Sequence, residues 1–284
     1  MNFFNFFFVY NIFIIIFCKK KKIFKHSKSP INHLKCPILN AKEYIYIHRT
    51  WTNNKVIYKV IVNKYDSNLN PKFLNYDFDY LFYTNNIDNY LSNNNSIWQY
   101  YKIPENIKKL SPVKQNRCLK INAHNYLPNH YNFSIYIDGN IVIIKDINIL
   151  LKQLNKKYGF FNFYVPIHPK RKCIYDEAKA VLKIKKDKSK NVKPQIQKIK
   201  EEGFPKHYGL SENNILLRNH KEQNTIQFMN KWWEMVYKGS KRDQLSLIYI
   251  SWKYNFTNFT YIERKLLKKF FKIIRRHKNT FKYR

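Results

Sequence analysis

Short apolar runs, rich in β-branched and aromatic residues, alternate along the chain with stretches whose apolar residues recur at helical spacing. The runs predict buried strands, and the spacing predicts amphipathic helices. The strands are predicted at 56–62, 79–85, 96–103, 134–144, 160–167 and 213–219. The helices are predicted at 112–127, 147–157, 175–202 with a break near Pro194, 225–254 with a turn at Gly239, and 264–278. Strands that alternate with helices predict an α/β domain with a largely parallel sheet.

The first 50 residues differ from the rest. Residues 3–18 are apolar apart from two Asn, and four Lys follow at once. We therefore predict a hydrophobic anchor or signal segment over 1–18 and a basic stem or linker over 19–50. The anchor predicts a membrane-associated, single-pass protein, in the Golgi or endoplasmic reticulum if the source is eukaryotic, with its orientation left open. A catalytic domain over 51–260 and a basic amphipathic helix over 261–284 complete the prediction.

The chain is strongly basic, with 53 Lys and Arg against 18 Asp and Glu and a formal net charge of +35. Alone, that balance favours nucleic acid or an anionic membrane as a partner. However, Asn, Lys, Ile, Tyr and Phe are all encoded by A/T-rich codons, so a biased genome gives the same charge without any partner. A basic RNA-binding or ribosome-associated protein, whose 23 Tyr would stack on bases, stays open as an alternative.

The clearest candidate for chemistry in the first half is Asp138-Gly139-Asn140, which interrupts an apolar run. An acidic residue at the carboxyl end of a strand lies where open α/β sheets bind ligands. Asp138 and Asn140 could hold Mn²⁺ or Mg²⁺ against a diphosphate, or the sequence could be a hairpin turn. Arg117 and Lys120, on one predicted helical face, could contact the same diphosphate or lie on a solvated face.

Two polar groups occur after or near the ends of later predicted strands. His168, Arg171 and Glu177 could bind substrate or act as acid and base, or Glu177 could complement the dipole of a helix N-terminus. Arg218 and His220 lie at the end of the next strand. That position suits contacts with a substrate and, for His220, with a metal ion.

One segment near the carboxyl terminus concentrates residue types that the rest of the chain avoids. Arg242, Asp243 and Gln244 open its second predicted helix. Asp243 could cap that helix, deprotonate an acceptor hydroxyl or bind a sugar. Trp232 and Trp233 could stack on a sugar or pack in the core, and at least one must be core because neighbours on a helix point different ways.

Four motifs occur in a fixed order: YIDGN, HPxRxCIYDEA, EGFPxxxGLSENxxLLRNH and FMxxWWEMVxxGSxRDQLSLIYxxWK. Together they closely resemble the glycosyltransferase-like domain, itself of unknown function, of plant mucilage-related probable hexosyltransferases and of bacterial and large-virus relatives. The resemblance spans roughly residues 55–256, and the last motif is its most specific part.

The resemblance implies a GT-A-like nucleotide-diphospho-sugar transferase fold with a Rossmann-like, mostly parallel sheet. Asp138, Gly139 and Asn140 would be the counterpart of a metal-binding DxD motif that binds the donor through Mn²⁺ or Mg²⁺, although Asn140 replaces the second acid. The expected reaction moves a sugar from a nucleotide-sugar donor to a glycan, protein or lipid hydroxyl, with Asp243 as the catalytic residue. The expected substrate-binding residues are His168, Arg171, Glu177, Arg218, Trp233, Arg242 and Gln244. A ceramidase-like hydrolase stays open as a further alternative.

Overall fold

A seven-stranded sheet with helices on both faces organises the chain. The computed structural model describes residues 53–63, 65–66, 69–91, 96–159, 163–256 and 259–274. The strands are β1 (Lys55–Ile61), β2 (Asp79–Thr84), β3 (Gln99–Lys102), β4 (Phe133–Ile137), β5 (Ile141–Ile143), β6 (Phe163–Pro166), β7 (Ile215–Asn219), β8 (Phe259–Ile262) and β9 (Phe271–Ile273). The helices are α1 (Asp88–Leu91), α2 (Pro112–Ile121), α3 (Ala123–Tyr126), α4 (Ile147–Tyr158), α5 (Ile174–Lys183), α6 (Ser189–Glu201), α7 (Gln223–Lys238), α8 (Leu247–Lys253) and α9 (Arg264–Leu267).

The strand order of the main sheet is β3-β2-β1-β4-β7-β6-β8. Only β7 runs against its neighbours, because it pairs antiparallel with β4 and β6 while the other adjacent pairs are parallel. The predicted α/β class with a mostly parallel, Rossmann-like sheet is confirmed. Strands β4 and β6 therefore end at the same side of the sheet, at Ile137 and Pro166, and we call this side the carboxyl edge. Strand β7 begins there.

Alternation along the strands divides the core into two layers. Tyr58 and Tyr136 point into the first layer, which also holds side chains of α2, α5, α6 and α7. Ile57 and Ile61 point into the second layer, with side chains of α4 and α9. Strands buried on both faces explain why the sequence shows continuous apolar runs rather than polar–apolar alternation.

The break predicted near Pro194 lies elsewhere. Pro194 is inside α6, and the connection between α5 and α6 runs from Ile184 to Lys188 instead. Lys185 takes a left-handed φ of 54° in this connection. The Asp187 carboxylate fixes the connection, because it accepts hydrogen bonds from Ser240 Oγ at 2.6 Å and from a neighbouring backbone N–H. The hydrogen bonds that Asp187 accepts from this distant segment thus determine where α5 ends and α6 begins.

The prediction of one long basic helix over 264–278 is also wrong for residues 264–274, the part that the structure describes. Helix α9 ends at Leu267, and β9 then pairs antiparallel with β5 in a separate two-stranded sheet. Phe270 and Phe271 are buried there, so burial of aromatic side chains outweighs the helical pattern. The predicted helix at 112–127 is divided at Asn122 into α2 and α3.

The predictions for residues 1–52 and 275–284 lie outside the described residues, so they stay predictions. The hydrophobic anchor at 3–18 is among them. Within the ranges that the structure describes, no helix has both the length and the apolar character to cross a bilayer.

Arg218, in the middle of the sheet, is fully buried and holds the end of α2. Its Nη1 donates to the backbone oxygens of Lys120 and Ile121 at 2.7 and 3.1 Å, and its Nη2 donates to the Tyr58 hydroxyl. The last carbonyls of a helix have no partner within the helix, so Arg218 supplies a donor to Ile121 O and shares Lys120 O with the Tyr58 hydroxyl, which donates to it at 3.0 Å.

Replacing Arg218 with Met is expected to lower the free energy of unfolding by about 2 kcal/mol, because the buried Ile121 carbonyl loses its donor and such a loss costs about 1–3 kcal/mol. Urea denaturation measures the change. Arg264→Met is the matched control, since Arg264 is one-third exposed in its ion pair with Glu212 and is expected to cost under about 1 kcal/mol. Equal losses in the two variants would contradict the assignment.

Two histidines near Arg218 are held neutral. Burial, together with Arg218 and His124, holds the pKa of His220 well below its usual range. Burial also lowers the pKa of His124 from 6.5 to about 4. The unfolded chain takes up these protons near pH 6.5 and the folded chain does not, so stability that is present above this pH is lost as the pH falls toward 4.

Unfolding midpoints measured in urea between about pH 7 and about pH 5 are expected to fall, and His220→Gln is expected to flatten that slope. The exposed His207 provides a control, since His207→Gln is expected to leave the slope unchanged. A parent-like slope in His220→Gln would show that His220 is not among the groups responsible.

Candidate active site

Asp138-Gly139-Asn140 forms a tight turn at the carboxyl edge, directly after β4. The turn is closed by Ile141 N, which donates to Asp138 O at 3.0 Å. Gly139 leaves room for its neighbours there, because a Cβ would lie 2.8 Å from Ile61 Cδ1 and 2.9 Å from Asp66 Cβ, so both side chains would have to shift. The turn does not make a hairpin, since β5 pairs with β9 rather than with β4.

The Asp138 side chain lies on the first-layer side of this turn. Its Oδ1 accepts a hydrogen bond from the Tyr136 hydroxyl at 2.8 Å, and its backbone N–H donates to Asn214 O at 2.9 Å. Asn214 directly precedes β7, so the antiparallel strand helps to fix the turn. The predicted donor-binding position thus lies at the carboxyl edge, where α/β sheets bind ligands.

A buried group of charges lies beside Asp138. Asp243, 2% exposed, forms an ion pair of 2.6 Å between its Oδ2 and Lys120 Nζ. Arg117 Nε lies 3.4 Å from the other carboxylate oxygen. Arg117 and Lys120 come from α2, and Asp243 comes from the short turn after α7. The structure therefore brings Asp243 to two helix residues that lie more than 120 positions earlier in the sequence.

The electrostatics of this group favour the charged forms of Asp243 and Arg117 and disfavour the charge on Lys120. Burial opposes the charge on Asp243, but Arg117 and Lys120 outweigh it and lower the pKa of Asp243 to about 2. Burial lowers the pKa of Lys120, and Asp243 and Asp138 offset part of that effect. Burial also disfavours the charge on Arg117, but the same two carboxylates raise its pKa overall.

Arg242 adds a third cation. Burial lowers the pKa of Arg242, and the nearby Arg117 lowers it further. Its Nη2 donates to Gln244 Oε1 at 3.0 Å, and Gln244 Nε2 donates to Ser211 O at 3.2 Å. Within the part of the chain that the structure describes, the buried Nε of Arg242 has no hydrogen-bond partner. A donor left in this way suits an anionic ligand.

His168, Arg171 and Glu177 form a second group at the same edge, just after β6. Arg171 Nε donates to Glu177 Oε2, and His168 Nε2 lies 3.7 Å from the same oxygen. His168 Nδ1 accepts from Arg171 N at 2.9 Å. Burial lowers the pKa of His168, although Glu177 opposes that shift. These three predicted residues are brought together.

Three predicted site residues do not join these groups. Arg218 is a buried support for α2, as described above. His220 follows the far end of β7 and lies roughly 17 Å along the strand from the start of that strand at the carboxyl edge. Trp233 is half-buried on α7, where its ring pairs with Tyr237 at a centroid distance of 5.7 Å. Its neighbour Trp232 is core, and Trp232 Nε1 donates to Asp243 O at 3.1 Å.

The residues at the turn fit a divalent cation poorly. Asn140 Nδ2 donates to Ile274 O at 3.1 Å, which fixes the side chain against the chain beyond β9 and leaves its neutral Oδ1, a weaker ligand than a carboxylate oxygen, to face an ion. His220 is too distant to share an ion with Asp138. In the described ranges, the one set of at least three His, Cys, Asp or Glu side chains with ligand atoms within 4.8 Å of one another is Cys173, Asp176 and His207, which excludes Asp138.

Several residues at the carboxyl edge were not singled out from the sequence. Tyr65 follows β1, and its pKa is raised by burial and by Asp66 and lowered by Arg242 and Arg117. Glu212 precedes β7 and accepts from Arg264 Nη1 at 2.7 Å. The position of Tyr65 just after a predicted strand was a usable signal. The position of Glu212 was not, because the sequence does not show that β7 runs in the opposite direction.

Comparison with solved structures finds glycosyltransferases at low sequence identity. Mouse xyloside xylosyltransferase 1 matches at 11% identity and a TM-score of 0.46, over 74% of this chain and 84% of that chain. Core-mannan synthase A from Aspergillus fumigatus, in its Mn/GDP form, matches at 10% identity and a TM-score of 0.42, over 82% and 77%. The galactosyltransferase LgtC matches at 12% identity and 0.39, over 73% and 72%.

Comparison with curated protein sequences gives no match. The family model of the TOD1/MUCI70 glycosyltransferase-like domain, in contrast, matches residues 77–278. This range includes α2, the Asp138 turn and the Asp243 segment, and thus the whole buried charge group. The transferase prediction is confirmed, and the RNA-binding and hydrolase alternatives find no support. The chain belongs to the TOD1/MUCI70 family and carries its glycosyltransferase-like domain.

Proposed function

We propose that this chain transfers a sugar, of the hexose class, from a nucleoside-diphosphate donor to a hydroxyl group of a glycan, protein or lipid. The buried group of Arg117, Lys120 and Arg242 carries the proposal. These three cations interact with the carboxylates of Asp243 and Asp138, and Arg242 interacts also with Glu177, whose charge is paired with Arg171. Positive charge is therefore in excess within the group of Arg117, Lys120, Arg242, Asp243 and Asp138. A diphosphate, with two or more negative charges, matches that excess.

In the proposed reaction, the bond between the sugar C1 and the β-phosphate oxygen breaks, and its electron pair leaves with the phosphate. The acceptor oxygen forms a new bond to C1 and releases its proton to solvent. Negative charge therefore grows on the leaving phosphate. Fixed cations that face this phosphate in a buried site stabilise the transition state without reorganising.

We assign Asp243 to positioning rather than to proton transfer. Its pKa of about 2 makes it a weak base at neutral pH. Its two ion pairs instead hold Lys120 and Arg117 in place. The acceptor is assigned to the side of the site where His168, Arg171 and Glu177 lie, because this second polar group occupies the same edge and adjoins the cation group, with Glu177 interacting with Arg242.

The proposal routes no step through a metal ion, because the donor set at Asp138 and Asn140 fits one poorly. Attachment to a membrane through residues 3–18, and a location in the Golgi or endoplasmic reticulum, stay predictions from the sequence.

A thermal-shift screen of UDP-sugars and GDP-sugars tests the function. One donor class is expected to raise the Tm, since binding at about 100 times Kd stabilises a protein by about 2.7 kcal/mol. Incubation with that donor is expected to release the nucleoside diphosphate. Lys120→Gln is expected to abolish most of the shift, whereas Lys157→Gln, which removes one exposed charge paired with Glu263, is expected to retain it.

Two outcomes would contradict this function. One is the absence of a shift with every donor tested. The other is salt-sensitive binding of single-stranded RNA that is equally strong in the parent and in Lys120→Gln, with no donor binding, which would favour the nucleic-acid alternative.

A further inference from the structure

Resting on the proposed function, we propose that this chain binds the donor diphosphate and stabilises it as a leaving group through Arg242, Arg117 and Lys120, without a divalent metal ion. The cations of the protein would take the place of the ion. The inference concerns how the site works, and it can fail while the glycosyltransferase assignment stands.

The ligand atoms at the turn are the first argument. A divalent cation of the Mn²⁺ or Mg²⁺ type prefers several oxygen ligands and uses carboxylates beside the substrate phosphates. Asp138 offers one carboxylate, and its Oδ1 already accepts from Tyr136 at 2.8 Å. Asn140 replaces the second acid with an amide, and the nitrogen of that amide donates to Ile274 O.

Among the described residues, Asp138 belongs to no set of three His, Cys, Asp or Glu side chains whose ligand atoms lie within 4.8 Å of one another, although two further carboxylates lie near the turn. A Cβ on Gly139 would lie 2.9 Å from Asp66 Oδ2, so Asp66 faces the Gly139 side of the turn together with Ile61 of the second layer. Tyr136, which reaches Asp138, packs in the first layer instead. The Glu212 carboxylate is held by Arg264 at 2.7 Å.

The charge balance is the second argument. Arg117, Lys120 and Arg242 each interact electrostatically with Asp138. A divalent ion on Asp138 would therefore stand next to three like charges, of which Lys120 is buried and Arg117 and Arg242 are partly buried, and the reduced dielectric there strengthens their repulsion. A diphosphate at the same place is attracted by all three. The site thus favours a diphosphate that contacts the three protein cations directly, with no metal ion between the phosphate and these side chains.

The unpaired donor of Arg242 is the third argument. Its Nη2 is used by Gln244, while its buried Nε has no partner among the described residues. A guanidinium presents its N–H groups in a planar fork that matches two phosphate oxygens. We assign this fork to the phosphate that leaves with the electron pair of the C1–O bond.

Isothermal titration calorimetry with UDP and with GDP tests the proposal on the full chain, once in EDTA and once with saturating Mn²⁺. Neither titration requires turnover, so the readout is independent of activity. Variants are Arg242→Gln, Arg242→Lys, Asp138→Asn and the charge control Lys157→Gln. Circular dichroism melts establish that each variant is folded.

One nucleotide is expected to bind the parent with the same Kd in both buffers, within about threefold. Arg242→Gln is expected to weaken it by about tenfold or more in both, which corresponds to about 1.4 kcal/mol for a lost charge-assisted pair. Arg242→Lys keeps the positive charge but loses the planar guanidinium fork, so its Kd is expected to lie between that of the parent and that of Arg242→Gln. Lys157→Gln is expected to bind as the parent does in EDTA. Asp138→Asn removes one of the carboxylates that face the three cations, so it is expected to bind the nucleotide at least as tightly as the parent in EDTA.

Two results with Mn²⁺ would overturn this inference and leave the proposed function standing. One is nucleotide binding that requires Mn²⁺. The other is a Kd that Mn²⁺ lowers by more than about tenfold in the parent but not in Asp138→Asn. Parent-like binding in folded Arg242→Gln would overturn it as well. If neither nucleotide binds in either buffer, both the proposed function and this inference are rejected.

Discussion

The buried ion pair between Lys120 and Asp243 is the contact on which the site depends. It joins α2, which precedes β4, to the turn that follows α7, across more than a hundred residues of chain. Taking two charges out of water is costly, and loss of one partner typically costs about 3–5 kcal/mol because the other is left buried and unpaired. The two segments must therefore stay together for the domain to be stable.

The support of this pair extends into the core. Arg218 holds the backbone oxygen of Lys120 from below, and Trp232 donates to the backbone oxygen of Asp243 from α7. Both are fully buried. The two residues place the charged ends of Lys120 and Asp243 at the carboxyl edge rather than touching the ligand themselves. The cations there are held by rigid elements, and preorganised charge of this kind is what phosphate departure requires.

The sequence predicted the sheet well, because strands buried on both faces leave continuous apolar runs. It also predicted Asp138, Arg117 and Lys120 as donor-binding residues and Arg242 as a substrate-binding residue, and the structure brings all four close together. It failed where a long-range contact decides the outcome. The residues around Arg218 in the sequence do not indicate that this charged side chain, near the end of a strand, points into the core toward the carbonyls of α2.

The same limit explains the errors about His220 and the C-terminal helix. The direction of β7 places His220 away from Asp138, and strand direction is not encoded in the strand's own residues. Pairing with β5 turns the run after Leu267 into a strand, although its apolar spacing also suits a helix. The resemblance to a known family corrected neither, because motif order does not carry side-chain geometry.

The central claim is that Arg117, Lys120 and Arg242 form the phosphate-binding part of the site. A crystal structure of the chain with UDP or GDP tests it most directly. The account predicts that the β-phosphate oxygens lie within about 3 Å of Arg242 and of Lys120, with Asp243 still paired to Lys120. A diphosphate bound away from these residues, for example beside His168 and Arg171, would contradict it.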